Sequence, residues 1–173
     1  NLMDDVNERS AHTVSTPRGG GLIFIIVSTL FWSINQMFHI YSFPLELNLV
    51  FICALLNALL GFVDDKVSLV YWQRFLIQVL LVSYPVLHMP LVFSFIPAVI
   101  EYALYIISWV WFINLFNFMD GTDGYAAQEA LFILLFLAFL VPELRPLSMC
   151  VMGGCLGFLR VNYPKAKIFM GDV

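Results

Sequence analysis

The sequence predicts an all-α, polytopic integral membrane bundle of about six transmembrane helices, and three observations carry that prediction. Of the 173 residues 61% are hydrophobic and only 12% are charged, with a mean hydropathy of +0.90, whereas a soluble domain carries about 25% charged residues. The apolar residues fall in runs close to the roughly 20 that a helix needs to cross the hydrocarbon core. Short polar or proline-bearing connections separate the runs, and none is long enough to be a soluble domain. The same composition excludes a soluble globular domain, a disordered chain and a collagenous repeat. A net charge of −4 without a basic field also excludes a nucleic-acid partner.

The first expected span, 21–38, follows three glycines and ends before Tyr41-Ser42-Phe43-Pro44, where proline stops a helix. The second, 47–63, runs up to Asp64-Asp65, and the third, 71–88, is closed by His88-Met89-Pro90. The fourth, 98–116, bears Trp109, Trp111 and Phe112, which read as lipid-facing or packing surface. The fifth is 125–141, and the sixth, 147–161, is short and rich in Gly and Met. Cys53, Cys150 and Cys155 lie inside apolar runs without metal or disulfide spacing and read as packing residues. Residues 1–173 form a single transmembrane domain. Asn1 at one end and Gly171-Asp172-Val173 at the other do not read as natural termini, so a longer parent with further helices is expected.

Six crossings put the N-terminal segment, the Asp64 connection, the 117–124 connection and the tail after residue 161 on one side. Seven of the eight basic residues lie at or beside that side, Arg145 being the exception, which makes it the cytoplasmic side of a multi-pass inner-membrane protein. Eight of the twelve acids lie there too. His39 and His88, on the other side, read as interfacial.

Asp64 and Asp65 come at the C-terminal end of a helix, where the macrodipole disfavours negative charge. A cation or phosphate-bound magnesium would offset that; capping of the next helix by Asp65 is the plainer alternative. Asp120 and Asp123, three residues apart in Asp120-Gly121-Thr122-Asp123-Gly124, would share one face of a helix and call for a cation, or else belong to a glycine turn. A further carboxylate, Asp172, and the basic pair Lys165 and Lys167 reach the same side, and converging oxygen ligands beside lysines describe a site for magnesium and a phosphorylated substrate. Arg9, His12 and Arg18 precede the first span beside Gly19-Gly20-Gly21, where basic groups and exposed backbone amides would hold phosphate, the alternative being an interfacial anchor with a flexible hinge. Glu101, Asn35, Asn48, Asn57 and Gln78 lie within spans and are expected to pair between helices; the role of Glu129 stays open.

Four segments taken in order resemble the polyprenyl-phosphate N-acetylhexosamine-1-phosphate transferases, a membrane glycosyltransferase family that includes WecA, MraY and WbpL. They are Arg9 to Gly21, close to R-S-x-H-x-x-P-T-P-R-G-G-G; Gly61-Phe62-Val63-Asp64-Asp65, like G-x-x-D-D; Asn114 to Gly124, like N-x-x-N-x-x-D-G-x-D-G; and Ala166-Lys167-Ile168-Phe169-Met170-Gly171-Asp172, like A-K-I-F-M-G-D. The wording of the first is closest to the WbpL branch, which begins O-antigen and related surface polysaccharides. The resemblance implies a larger helical bundle of which this chain holds the middle spans. It implies transfer of N-acetylhexosamine-1-phosphate from a UDP-N-acetylhexosamine to undecaprenyl phosphate, with release of UMP. It further implies Mg2+, with Mn2+ as substitute, at Asp172 with Asp65; Asp64 as the group that binds or deprotonates the lipid phosphate; and Asn117, Asp120 and Asp123, with Asn114, around the nucleotide. Lys167, Arg9, His12 and Arg18 fall in the substrate-binding motifs. A second copy of the chain is an open partner. The resemblance also implies a Gly-Ser after the last motif and a His-bearing loop, which lie outside this chain. The competing readings are a divalent-cation transporter, which would carry its acids near the bilayer midplane, and an inactive truncated membrane fragment.

Overall fold

The computed structural model of the chain describes residues 3–4 and 16–172. Six helices follow one another: α1 Leu22–Phe38, α2 Leu45–Val67, α3 Tyr71–Val86, α4 Ala98–Met119, α5 Tyr125–Leu140 and α6 Arg145–Asn162, the last preceded by a 3-10 turn at Pro142–Leu144. The one extended pairing among the described residues is antiparallel, Met3–Asp4 against Thr16–Pro17. By length and composition Leu45–Val67, Ala98–Met119 and Pro142–Asn162 are able to cross a membrane. α1 and α5 are apolar but shorter, at 17 and 16 residues, or roughly 25 Å of helix against a hydrocarbon core of about 30 Å. α3 is also 16 residues long and carries Gln73, Arg74 and Gln78. The six expected spans are thus present as six helices, three of which meet the length criterion alone.

Two helices run further than the hydropathy suggests. α2 continues to Val67, so Asp64 and Asp65 stand in its last turn. Ser68 ends it in the left-handed region, φ 54°, with its N–H on the Asp64 carbonyl at 2.8 Å. The Asp64 carboxylate then accepts the Leu69 N–H at 2.7 Å. Asp65 does not cap α3, which has no side-chain cap; the connection is tied by Asp64 instead, because its Oδ1 reaches the amide just past the turn. α4 likewise continues to Met119, leaving Asp120 as its C-cap.

The helices α2, α3 and α4 pack in succession, α5 and α6 form a hairpin, and α1 lies along α6. Val82, Val86 and Val110 form a buried cluster between α3 and α4, flanked by Tyr102, Tyr105 and Trp109. Trp32 of α1 is stacked on Phe43, with ring centroids 4.8 Å apart, and on Phe51 of α2 at 4.3 Å. The outward faces are apolar and aromatic, with Val99, Trp111, Phe118 and Phe139 all exposed, as a lipid-solvated surface requires.

The intraspan polar groups divide. Gln36 donates to Asn48 at 2.9 Å and joins α1 to α2, and Asn114 donates to Gln78 at 2.8 Å and joins α3 to α4. Glu101, Asn35 and Asn57 do not join helices. Glu101 accepts the N–H groups of Val92 and Phe93 and the Tyr105 hydroxyl, Asn35 binds both backbone groups of Tyr41, and Asn57 donates to the Cys53 carbonyl. Glu101 and Asn35 sit at helix ends, where loop amides and carbonyls lack helical partners and compete for the side chain.

Asn162, buried at the end of α6, spans two segments: its Oδ1 accepts the Gly124 N–H and its Nδ2 donates to the Ile168 carbonyl, both at 2.8 Å. It therefore holds the α4–α5 turn against the tail. Replacing Asn162 by Ala leaves a buried N–H and a C=O unpaired, and we expect a loss of about 2–4 kcal/mol. Asn162→Asp turns a buried carboxylate oxygen onto the Ile168 carbonyl and should destabilise at least as much as Ala at neutral pH, as read by thermal unfolding in detergent.

Candidate active site

The polar end of the bundle gathers residues from five separate stretches: the segment before α1, the end of α2, the start of α3, the end of α4 and the tail after α6. The tail is held by backbone pairing. Gly20 and Gly21 donate to the carbonyls of Phe169 and Met170 at 2.9 and 2.8 Å, and Phe169 donates back to Pro17 at 2.9 Å. These glycine amides are therefore engaged by the chain itself, which corrects the expectation that the amides of Gly20 and Gly21 are exposed to phosphate and that the segment is a loose hinge. A Cβ on Gly20 would collide with the Phe158 ring, so the segment is also tightly packed there.

Beyond Met170 the tail turns at Gly171, φ +82°, where a Cβ would stand 2.7 Å from Asp65 Oδ2. Only glycine suits both the backbone and the space. The turn aims two consecutive amides at two acids: Gly171 N–H donates to Asp120 Oδ2 at 2.8 Å, and Asp172 N–H donates to Asp65 Oδ2 at 3.1 Å. Arg18 Nη1 lies 3.6 Å from Asp65 Oδ1.

Arg74, in the first turn of α3, is the hub. Its Nη1 donates to Asp64 Oδ2 at 2.7 Å and to Asp172 Oδ2 at 2.9 Å, and its Nη2 donates to Asn114 Oδ1 at 3.3 Å. The Asn114 amide is oriented for this by donating its own N–H groups to Gln78 Oε1 and the Val110 carbonyl. With Leu69 on one oxygen and Arg74 on the other, both oxygens of Asp64 are engaged. The sequence reading used Arg74 only to orient the chain. The signal available was an arginine at the edge of an apolar helix, which must find a partner.

Asp120 is buried, and burial pushes its carboxyl up to about 6, against the opposing Gly171 and Met170 amides and the charge of Arg18. Burial also raises the Asp172 carboxyl, with Asp64 and Asp65 adding to the effect and Arg74 and Asn117 opposing it. Asp65 Oδ1 and Asp120 Oδ1 are buried without a hydrogen-bond partner. Asp65 Oδ1 has the Arg18 guanidinium at 3.6 Å beside it and Asp120 Oδ1 has no partner; such carboxylate oxygens are hard donors of the kind magnesium takes, so the residues fit a divalent cation in chemistry. Among the described residues no three His, Cys, Asp or Glu side chains are drawn together closely enough to hold one.

Of the residues singled out in the sequence, Asp64, Asp65, Asp120, Asp172, Asn114, Asn117 and Arg18 come together here. Asp120 and Asp123 do not share a helix face, because α4 ends at Met119 and both fall in the turn before α5. Asp123 is half-buried and makes no side-chain hydrogen bond among the described residues. Lys165 and Lys167 are exposed, Lys167 being tied only through its backbone N–H to the Val161 carbonyl. Arg9 and His12 lie outside the described residues. Glu129 Oε2 is buried and unpartnered.

An acid cluster closed by a glycine turn at one end of an apolar helical bundle defines an integral membrane protein with a polar, acid-rich site. The glycosyl transferase family 4 model matches residues 47–173, and the chain belongs to that family. It is 34% identical over 185 residues to the phospho-N-acetylmuramoyl-pentapeptide-transferase of Lactiplantibacillus plantarum, covering 91% of this chain and 56% of that protein. It is 28% identical over 208 residues to the protein of the same name from Streptococcus thermophilus, covering 99% and 58%, and 32% identical over 199 residues to that of Streptococcus mutans, again covering 99% and 58%. The chain thus spans a little over half the length of these relatives.

Because the folded Asp120 carboxyl titrates near 6 and an unfolded one near 3.9, the folded state holds the proton more tightly. The contribution of Asp120 to stability is then greatest at low pH and is lost as pH rises through about 4 to 6, on the order of 2–3 kcal/mol. Asp120→Asn keeps an oxygen for the Gly171 amide and removes the charge. With chelator present, the variant should melt above the native protein at pH 7.5, and the gap should close by pH 4.5. A gap independent of pH would refute the assignment.

Proposed function

We propose that the parent protein is a magnesium-dependent transferase of the inner membrane. It moves an N-acetylhexosamine-1-phosphate from a UDP-sugar to undecaprenyl phosphate at the cytoplasmic face. A lipid phosphate oxygen attacks the β-phosphorus, the bond from that phosphorus to the bridging oxygen breaks, and UMP leaves with the electron pair. The product is a polyprenyl-diphosphate-linked sugar that starts a cell-wall or surface polysaccharide.

The observation that carries this reading is the convergence of Asp64, Asp65, Asp120 and Asp172 from three separate motif segments on one helix end, with Arg18 and Arg74 among them. Transfer between two phosphate-bearing partners needs charge neutralisation and alignment more than it needs a strong base. Undecaprenyl phosphate is already ionised at neutral pH, so the full engagement of Asp64 by Leu69 and Arg74 is compatible with a binding role near that phosphate. Magnesium held by Asp172 and Asp65 would screen the diphosphate and favour departure of UMP. Asn117, Asp120 and Asp123 are proposed to surround the nucleotide, with Lys167, Arg9 and His12 meeting it from the flanking segments. An apolar cavity of about 530 Å3 between α3 and α4, lined by Phe75, Val79, Ile106, Val110 and Trp111, ends at Asn114. Hydrocarbon-sized space thus abuts the polar cluster, as an acceptor with a prenyl tail and a phosphate head requires.

Two donors are favoured by different observations. The wording of the Arg9 to Gly21 segment favours a UDP-N-acetylhexosamine of surface-polysaccharide synthesis. The printed name of the relatives favours a donor of phospho-N-acetylmuramoyl-pentapeptide. The full-length parent in membranes, given a panel that includes both donor types, should release UMP only with undecaprenyl phosphate present. Chelator should abolish release, and Asp172→Asn should lower it by about 100-fold or more, as loss of a metal-based charge clamp does. Metal flux without UMP release would replace this reading with a transporter.

A further inference from the structure

We propose that the α3–α4 connection, residues 87–97, is a membrane-docking surface, seated in the acyl–headgroup boundary of the leaflet at the end of the bundle away from the acid site, with lipid as its partner. Depth carries the argument. Arg74 of α3 is bonded to Asp64 of α2 and to Asn114 of α4, so the three helices share a common level there. From that level α2 runs back to Leu45, a rise of about 28 Å, which takes the α1–α2 connection across a hydrocarbon core of about 30 Å. α3 ends at Val86, only about 18 Å from Arg74, and α4 begins at Ala98, about 24 Å from Asn114. Helix tilt shortens these rises further. The α3–α4 connection therefore turns round short of the level that the α1–α2 connection reaches.

Its chemistry suits that depth. Residues 87–97 hold no Asp, Glu, Lys or Arg, and Leu87, Val92, Phe93 and Phe95 are exposed, the last at 80%. The Phe93 and Phe95 rings meet edge to face with centroids 5.6 Å apart, and the exposed apolar surface continues onto Val99 of α4. Apolar and aromatic side chains of this kind bury themselves at the acyl–headgroup boundary. A connection that leaves water also needs partners for its backbone. Pro90 and Pro97 have no N–H, while His88 and Met89 donate to the carbonyls of Pro85 and Val86, both at 3.0 Å. Val92 and Phe93 donate to Glu101 at 2.6 and 3.3 Å, and the Tyr105 hydroxyl donates to the same carboxylate. Glu101 stands in the first turn of α4 and is 1% exposed. In water the two amides would be hydrated and burying a carboxylate for them would only cost free energy. At the edge of hydrocarbon that carboxylate supplies the acceptor that solvent does not.

The test is spin-label accessibility in the full-length parent, its other cysteines replaced, in bilayers of phosphatidylethanolamine and phosphatidylglycerol. Labels at Val92→Cys, Phe95→Cys and, in the α1–α2 connection, Ser42→Cys are read for collision with oxygen, which concentrates in lipid, and with a water-soluble nickel chelate. The ratio of oxygen to nickel collision should be several-fold higher at Val92 and Phe95 than at Ser42. Glu101→Ala, which strands two amides, should lower the ratio at Phe95 several-fold as the connection moves out to water. Glu101→Gln, which keeps one acceptor, should lower it by less and serves if the alanine variant fails to fold. Nickel collision at Val92 and Phe95 as strong as at Ser42 overturns the proposal in favour of a connection in water. Weak collision with both probes overturns it in favour of a protein partner over the patch, a second copy or a further segment of the parent. An unchanged ratio in both folded Glu101 variants overturns the part given to Glu101.

Discussion

The polar end of the molecule depends on one constraint: like charges drawn from distant parts of the chain have to share a small, partly buried space. Asp64 and Asp172 are kept together by Nη1 of Arg74, and Asp65 and Asp120 are tied to the tail by the successive amides of Asp172 and Gly171. The second pair of contacts exists only because the tail is already aligned against the segment before α1, by the Gly20–Phe169 and Gly21–Met170 bonds. The tail in turn follows from Asn162, whose amide fixes the exit from α6. Charge pairing and backbone pairing therefore support each other, and the left-handed turn at Gly171 is where they meet.

Much of this was legible in the sequence. Hydropathy marks the six helices because lipid allows a spanning segment few backbone alternatives, and the acids Asp64, Asp65, Asp120 and Asp172 were found as motif carboxylates on one side. Helix ends were less legible. α2 passes residue 63 because Asp64 and Asp65 are tolerated in a last turn closed by a left-handed Ser68, a local conformation that hydropathy does not report. The face-sharing of Asp120 and Asp123 failed for a related reason: spacing predicts a shared face only while the helix continues, and α4 stops at Met119.

Long-range pairing was the least legible. Gly19-Gly20-Gly21 reads as a phosphate cradle by composition, yet the amides of Gly20 and Gly21 are engaged by residues some 150 positions away, and nothing local announces that. Arg74 was missed because a single arginine adds one to a count of positive charge, while its meaning comes from the acids and amide around it. The rule that a basic group beside an apolar span needs a partner would have flagged it, and the nearest acids in sequence, Asp64 and Asp65, would have been the first to try.

The charges that meet at the site also explain why it sits at helix ends. Four carboxylates face two guanidiniums, those of Arg18 and Arg74, so full ionisation leaves an excess of two negative charges in a setting that burial has already made costly. The upward push on the Asp120 and Asp172 carboxyls comes first from burial, and the neighbouring carboxylates add to it. At the midplane no solvent would relieve it. At a helix end, solvent and dissolved ions reach such groups and lower that cost. Four acids gathered with two guanidiniums therefore suit the polar end of a helical bundle and not its apolar middle.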